Sequence, residues 1–216
     1  MSSLLKINLF QDLGLFYIHI PKTGGNTVLR TLRRQLKSDR DVFNTELEER
    51  FPVICEKTRF TTHEIVPRGH ISALKHKGIT SFSTVRNPYD RAYSCYHWSV
   101  YYMKNYKGTF LDWLNDEEYR HRHSSLFQPQ TAWLFDDMGQ LPVKTCKLEN
   151  LNHEMKKLCN KNTFQVSDND FQFKFNKNPN RKEYNLHNIY DSKSKQKVIE
   201  IYRDDFINFD YDIDTL

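Results

Sequence analysis

An α/β domain with a mainly parallel central sheet is the fold class this sequence predicts, from three observations. Short apolar runs alternate with segments whose apolar residues recur at helical spacing. Two of those runs, ending at Ile20 and Arg86, pass directly into residues that favour a helix start. The chain has 216 residues, 38% hydrophobic and 14% aromatic, which is enough for one packed core without a second domain.

The elements follow in order. Residues 15–20, LFYIHI, read as a short buried strand. Residues 26–37 read as a helix in which Leu29, Leu32 and Leu36 form the apolar stripe. Arg30, Arg33, Arg34 and Lys37 gather in its second half, where the helix dipole favours cations. Residues 38–69 are charged and irregular, with a short strand expected near Phe51–Cys55 and a brief helix after them at about 71–77. Thr80–Arg86 has a strand pattern; Asn87 can cap the next helix, Pro88 suits its first turn, and Asp90 places an acid near the positive end of the dipole. That helix is expected to run to about Lys104. Shorter helices are expected over Thr109–Asn115 and in the Gln128–Phe135 region, then a strand over 143–149, VKTCKLE. Leu151, Met155 and Leu158 mark a further helix, and 160–182, rich in Asn and Lys, reads as a long loop. Val198, Tyr202 and Phe206 define the core face of a C-terminal helix. No repeat or low-complexity linker interrupts this order, so residues 1–216 are read as one domain.

Charge and cysteine usage narrow the function classes. A net charge of +5 suits an anionic ligand but falls short of the basic stripe of a nucleic-acid binder. Cys55, Cys95, Cys146 and Cys159 form no CxxC pair, so neither a zinc knuckle nor a disulfide framework is expected. Isolated thiols suit a reducing compartment. The start, MSSLLKINLFQDLG, has no apolar run long enough for a signal peptide or membrane anchor, and a soluble, cytoplasmic protein is expected.

Two loops carry the chemistry. In IPKTGGNT, Pro21 ends the strand, and Gly24 and Gly25 let the backbone turn tightly and approach a ligand. The amides of Gly25, Asn26 and Thr27 then fall at a helix N-terminus, an anion site by geometry and by dipole. Lys22 adds a mobile positive charge, and Thr23 and Thr27 add hydroxyl donors. The triphosphate-binding loop GxxxxGK[ST] carries its lysine after the glycines; here it stands before them, which argues against a magnesium-triphosphate site. A simple Gly-Gly turn with an exposed lysine is the plainer alternative. The second loop supplies Arg86 at a strand end, able to grip a phosphate through its planar fork, and Ser94 about two turns into the next helix. Arg91, Ser94, Cys95 and Trp98 share one helix face, and Arg91 stays open between a site role and a surface pair with Asp90 or a nearby acid.

IPKTGGNT, followed by GHISAL and TVRNPYDRAYSCYHW, resembles the sulfotransferase superfamily, in particular the carbohydrate sulfotransferases related to the heparan 2-O-sulfotransferases and their bacterial relatives. The resemblance continues through FQPQTAWL, CKLENL and IYRDDFINFDYDI, and so covers most of the chain. It implies a phosphosulfate-binding strand-loop-helix unit like the P-loop. The first loop, Lys22 to Thr27, would hold the 5′-phosphosulfate of 3′-phosphoadenosine 5′-phosphosulfate (PAPS), and Arg86 and Ser94 its 3′-phosphate. Arg181 and Lys182, in NPNRKEY, correspond to the family's late loop over the nucleotide, with a solvated basic turn as the plain alternative. His70 matches the family's catalytic base, His63 and Glu64 are rivals, and a helix cap is the plainer role for His70. Lys22 would stabilise the leaving group, adenosine 3′,5′-bisphosphate, and no metal is required.

The remaining candidates read more plainly. His121 and His123, with His97, lack a carboxylate or cysteine at metal-ligand spacing; the segment His121, Arg122, His123 reads better as a loop touching the acceptor. Glu149 is expected to organise the sheet edge. Trp98, Tyr101 and Tyr102 are core aromatics or faces for sugar stacking. The expected function is sulfuryl transfer from PAPS to a hydroxyl, in first place on a glycan, with no nucleic acid and no membrane anchor as partner. Sulfation of a peptide tyrosine or a lipid, or a silent nucleotide- or polyanion-binding module, are the alternatives, and the oligomeric state stays open.

Overall fold

The strands are β1 (Leu9–Phe10), β2 (Leu15–Ile18), β3 (Thr80–Val85), β4 (Phe135–Asp136), β5 (Gly139–Gln140) and β6 (Lys144–Lys147). The computed structural model describes residues 8–10, 13–35, 63, 65–159 and 185–216. The central sheet has the order β1-β2-β3-β6, while β4 and β5 form a separate hairpin. β2, β3 and β6 run parallel, so the mainly parallel α/β fold expected from the sequence is present, with β1 added as an antiparallel edge. In register, Ile18 lies opposite Ser83 and Val85 opposite Lys147, which brings the carboxyl ends of the three parallel strands together.

The helices are α1 (Gly25–Gln35), α2 (Arg68–His76), α3 (Pro88–His97), α4 (Phe110–Asn115), α5 (Glu117–Arg122), α6 (Ser124–Phe127), α7 (Thr131–Leu134), α8 (Leu151–Cys159) and α9 (Ser192–Asn208). Alternation along β2 sorts the core. Leu15 and Tyr17 pack with Val28, Leu29 and Leu32 of α1 and Leu151, Met155 and Leu158 of α8. Phe16 and Ile18 face the other way, onto Ile71 and Leu74 of α2 and Trp133 and Leu134 of α7. All four β2 side chains are fully buried, as expected of a strand covered on both faces. A third, aromatic cluster joins Tyr89, Ala92 and Cys95 of α3 to Phe110 and Trp113 of α4 and to Val198, Tyr202 and Phe206 of α9. Fully burying one such side chain is worth about 1.5–3 kcal/mol, so these clusters dominate stability.

Several boundaries differ from the sequence reading, each for a local reason. β2 ends at Ile18 because the carbonyls from there onward bond to side chains instead of a neighbouring strand. The long helix expected from Asn87 is α3 followed by a π-helical turn, Trp98–Tyr102. The helix expected over 128–135 shrinks to α7, because Phe135 turns extended and pairs with Gln140. The segment around His121 and His123, expected as a loop, closes α5: Asp116 caps it, acids lead its first turn, and Arg120, His121 and Arg122 form its last. The expected strand near Phe51–Cys55 and the loop at 160–182 lie outside the described residues.

Cys95, Cys146 and Cys159 are free and buried, and burial pushes the Cys146 thiol up to about 12. Among the described residues no helix is long and apolar enough to cross a membrane. Glu149 links the sheet edge to α3, its carboxylate accepting from the Asn87 amide at 2.7 Å and from the Tyr211 hydroxyl at 2.9 Å.

One buried polar assembly ties α9 to the sheet. Asp205, fully buried, accepts from the amides of Gln130 (2.8 Å) and Thr131 (2.7 Å) and from the Thr131 hydroxyl (2.9 Å). The Gln130 carboxamide then brackets the backbone of Arg86, accepting from its amide at 2.8 Å and donating to its carbonyl at 2.9 Å. Asp205→Ala strands several buried donors at once and is expected to cost about 3 kcal/mol, read as a lower urea midpoint at unchanged m-value.

Candidate functional site

Five successive carbonyls where β2 leaves the sheet are each bonded to a side chain. Ile18 O accepts from Ser83 Oγ (2.7 Å), His19 O from His63 Nδ1 (2.8 Å), and Ile20 O from Thr23 Oγ1 (2.9 Å). Pro21 O accepts from Arg91 Nε (3.1 Å) and Lys22 O from Arg86 Nη1 (3.0 Å). In a planar trans peptide the amide points opposite to the carbonyl. Turning the carbonyls of Pro21 and Lys22 inward therefore turns the amides of Lys22 and Thr23 outward. Next along the chain, Gly24 O accepts from the amides of Thr27 (2.9 Å) and Val28 (3.3 Å), which starts α1 and leaves Gly25 and Asn26 as its first amides. The loop thus presents donors at a helix N-terminus, an arrangement suited to an oxyanion.

The conformation is costly and tightly enforced. Lys22 has φ of +67°, a left-handed position that costs a non-glycine residue roughly 1–2 kcal/mol. Gly24 has φ of +85°. Gly25 is required by contact: a Cβ there would lie 1.9 Å from Nε2 of His19, whose buried ring covers that point.

Thr23 departs from expectation. Its hydroxyl is fully buried and donates to Ile20 O, so it is turned into the fold and is no ligand donor. Since that proton is committed, Thr84 Oγ1, at 2.9 Å, must donate to Thr23, and Tyr17, at 2.6 Å from Thr84, must donate in turn. Of the three amides expected to face a ligand, that of Thr27 is taken by Gly24 O, and its side chain is buried. Asn26 is exposed.

Arg86 stands just past the end of β3, as expected, but its guanidinium also braces the loop. It donates to Asp90 Oδ2 through Nε (2.6 Å) and to Lys22 O through Nη1. Because Asp90 is the partner of Arg86, the surface pair considered for Arg91 does not form. Arg91 is instead 1% exposed, beneath the loop, with its Nη2 buried and without a hydrogen-bond partner among the described residues. Ser94, one turn further along α3, is half-buried.

Lys22 rests its ammonium 4.2 Å from the centroid of the Trp98 indole, on which Tyr102 stacks at 4.0 Å. Trp98 opens the π-helical turn, and Tyr101 and Tyr102 beyond it are mostly exposed, so these two are not core residues. His70 is the third residue of α2; it is half-buried and its Nδ1 is buried without a hydrogen-bond partner among the described residues. Arg68, two residues earlier, anchors that helix start to the β4–β5 hairpin through two bonds to Asp136, at 2.8 and 2.6 Å. His121 is exposed on α5, and His123 packs on the Tyr119 ring at 4.3 Å. Arg181, Lys182 and Glu64 lie outside the described residues.

The structure therefore gathers Lys22, Gly24, Gly25, Asn26 and Arg86 around one loop, with Ser94 on the helix that supports it. Sequence reasoning missed the residues behind the loop: His19, Ser83, Thr84 and Gln130. A signal existed for two of them. TSFSTV puts hydroxyls inside an apolar strand, where buried donors need partners.

The model of the Sulfotransferase family matches residues 6–212 of the chain. Neither curated proteins nor solved structures gave a match. The family match takes in the loop, its supporting helix and the whole central sheet, whose mixed, mostly parallel order is consistent with that fold. This chain belongs to the sulfotransferase family.

Proposed function

We propose that the protein transfers a sulfuryl group from PAPS to a hydroxyl group, with a carbohydrate as the acceptor. One observation carries the reading most strongly: Arg91 and Arg86 hold the carbonyls of Pro21 and Lys22, which turns the amides of Lys22 and Thr23 toward a ligand. The buried, unpartnered Nη2 of Arg91 beneath the loop fits the same ligand, because its positive charge favours an anion above. The Lys22–Asn26 segment would hold the 5′-phosphosulfate, and Arg86 and Ser94 the 3′-phosphate; the family resemblance adds Arg181, Lys182 and Thr27. When bound, PAPS supplies the activated sulfuryl group, its sulfur–oxygen bond to phosphate breaking as the acceptor oxygen bonds to sulfur.

The side chains of this protein divide the remaining work. Lys22 exchanges its indole contact for the charge growing on the departing phosphate. The loop amides hold their positions without reorganising, which is where such sites gain most. The acceptor's proton passes to a histidine, a role the resemblance gives to His70. Exposed Tyr101 and Tyr102, next to the indole that carries Lys22, are suited to the faces of a sugar ring and favour a glycan over a lipid.

The direct experiment follows release of adenosine 3′,5′-bisphosphate from PAPS while glycans, tyrosine peptides and hydroxylated lipids are supplied in turn. Release with glycans alone is expected. No release with any acceptor, despite tight nucleotide binding, would favour a silent binding module. Lys22→Ala is expected to lower kcat/KM by roughly 10²–10³ with little change in melting temperature. A loss below about threefold would sink the assigned role.

Ser94→Ala is expected to weaken PAPS roughly tenfold in calorimetry, yet leave the affinity for adenosine 5′-phosphosulfate, which lacks the 3′-phosphate, nearly unchanged. Arg86→Ala should weaken both ligands, because it also releases Lys22 O. Equal losses on Ser94→Ala would remove Ser94 from the 3′-phosphate site.

For His70, alanine substitution is expected to reduce turnover by roughly 10²–10⁴ while nucleotide affinity stays near wild type. A mild effect, combined with abolished turnover in Glu64→Gln, would move the base to the carboxylate.

A further inference from the structure

His63, weighed above only as a rival for the base and as the partner of the His19 carbonyl, sits beside the anion loop. Its ring packs on His19 with centroids 4.1 Å apart and meets the Trp133 ring of α7 edge-on at 6.5 Å. The His19 ring in turn covers Gly25, the first residue of α1. The His63 ring is therefore in tilted contact with the imidazole that covers the start of α1. Because a carbonyl only accepts, the 2.8 Å contact with His19 O places a hydrogen on Nδ1 of His63 and leaves the lone pair on Nε2.

The charged and titratable groups facing this ring are His19 from the end of β2, Lys22 from the loop and Arg91 from α3; Trp133 is neutral. Burial first, then the charges of Lys22 and Arg91, hold the His63 pKa below the ordinary histidine value, against the opposing pull of the bond to His19. These effects disfavour the protonated form of His63. A bound oxyanion reverses the field, since it neutralises the same two cations and adds negative charge beside the ring.

We infer that His63 completes the anion site: as the phosphosulfate seats, Nε2 takes a proton from solvent and donates it as a hydrogen bond to the ligand's oxyanion. This rests on reading the loop as the phosphosulfate site. The sign of the linkage follows directly. The pKa is lower in the free protein than in the complex, so between the two values binding takes up a proton and affinity falls as pH rises, by up to about tenfold per pH unit. Below both values, and above both, the dependence disappears.

The test is calorimetry on the full chain with two probes, inorganic sulfate and adenosine 3′,5′-bisphosphate, at pH 7 in buffers of differing ionisation enthalpy. Sulfate does not titrate in this range, whereas a nucleotide phosphate does so near pH 6; the sulfate arm therefore isolates the proton taken up by the protein. His63→Asn keeps an N–H for His19 O and removes Nε2. Wild type is expected to take up a large fraction of a proton with either probe. The Asn variant should take up none from the protein and bind sulfate about tenfold more weakly near pH 6, matching wild type near pH 9. Equal uptake by both proteins, or affinity independent of pH in wild type, overturns the proposal. Should the variant fail to fold, ¹⁵N resonances of wild-type His63 decide the matter: Nε2 must change from lone pair to protonated on adding sulfate, and an unchanged signal at saturation refutes it. His63-dependent uptake with sulfate, but no nucleotide binding, would keep His63 in an anion site and reject the PAPS reading. Nucleotide binding without uptake would do the reverse.

Discussion

The geometry of the candidate site depends on the capture of five successive carbonyls, Ile18 to Lys22, by side chains. A strand that simply ended would leave these groups to water, and the loop would be free to present acceptors or donors. Here Ser83, His63, Thr23, Arg91 and Arg86 each take one carbonyl, from a different direction. The peptide planes are fixed as a set, and the amides on the opposite edge are preorganised without touching a ligand themselves. Preorganised donors act at the moment charge develops, with no reorientation cost at that moment.

The strain in the loop is consistent with this. Lys22 occupies a left-handed conformation that a lysine does not choose, and its carbonyl is bonded to a guanidinium that is itself anchored by Asp90. Strain of this kind persists only where the surroundings over-determine the backbone. The over-determination reaches far: Gln130 clasps the Arg86 backbone, and Asp205 of α9 fixes Gln130. A helix near the C-terminus therefore helps set the geometry of a loop near residue 22. The site is a property of the whole fold, not of one motif.

Two kinds of positive charge meet there. Arg86 and Arg91 are nearly buried and act as fixed braces, whereas the Lys22 ammonium rests on an aromatic face and is the mobile one. An indole holds a cation by roughly 0.5–2 kcal/mol, enough to keep the side chain folded over the site and little enough to release it to an anion. The π-helical turn at Trp98–Tyr102 starts at that indole, which places the irregular helix geometry directly beside Lys22.

The alternation of strands and helices, the caps at Asn87, Thr109 and Asp191 and the core face of α9 follow from local chemistry, and the sequence alone determined them. Spacing and residue type, which are local information, also pointed to an anion-binding role for Lys22, the glycine pair and Arg86. What Thr23, Arg91 and His63 do was decided only by the tertiary structure. Thr23 reads as a ligand donor until its hydroxyl turns inward, donating to Ile20 O and accepting from Thr84, sixty-one residues away. Arg91 stays open between a site role and a surface pair until it is buried beneath the loop and Asp90 pairs with Arg86. His63 has no readable partner until the end of β2 presents its carbonyl. A side chain's partners are set by which distant backbone arrives beside it, and periodicity and motif spacing carry no record of that.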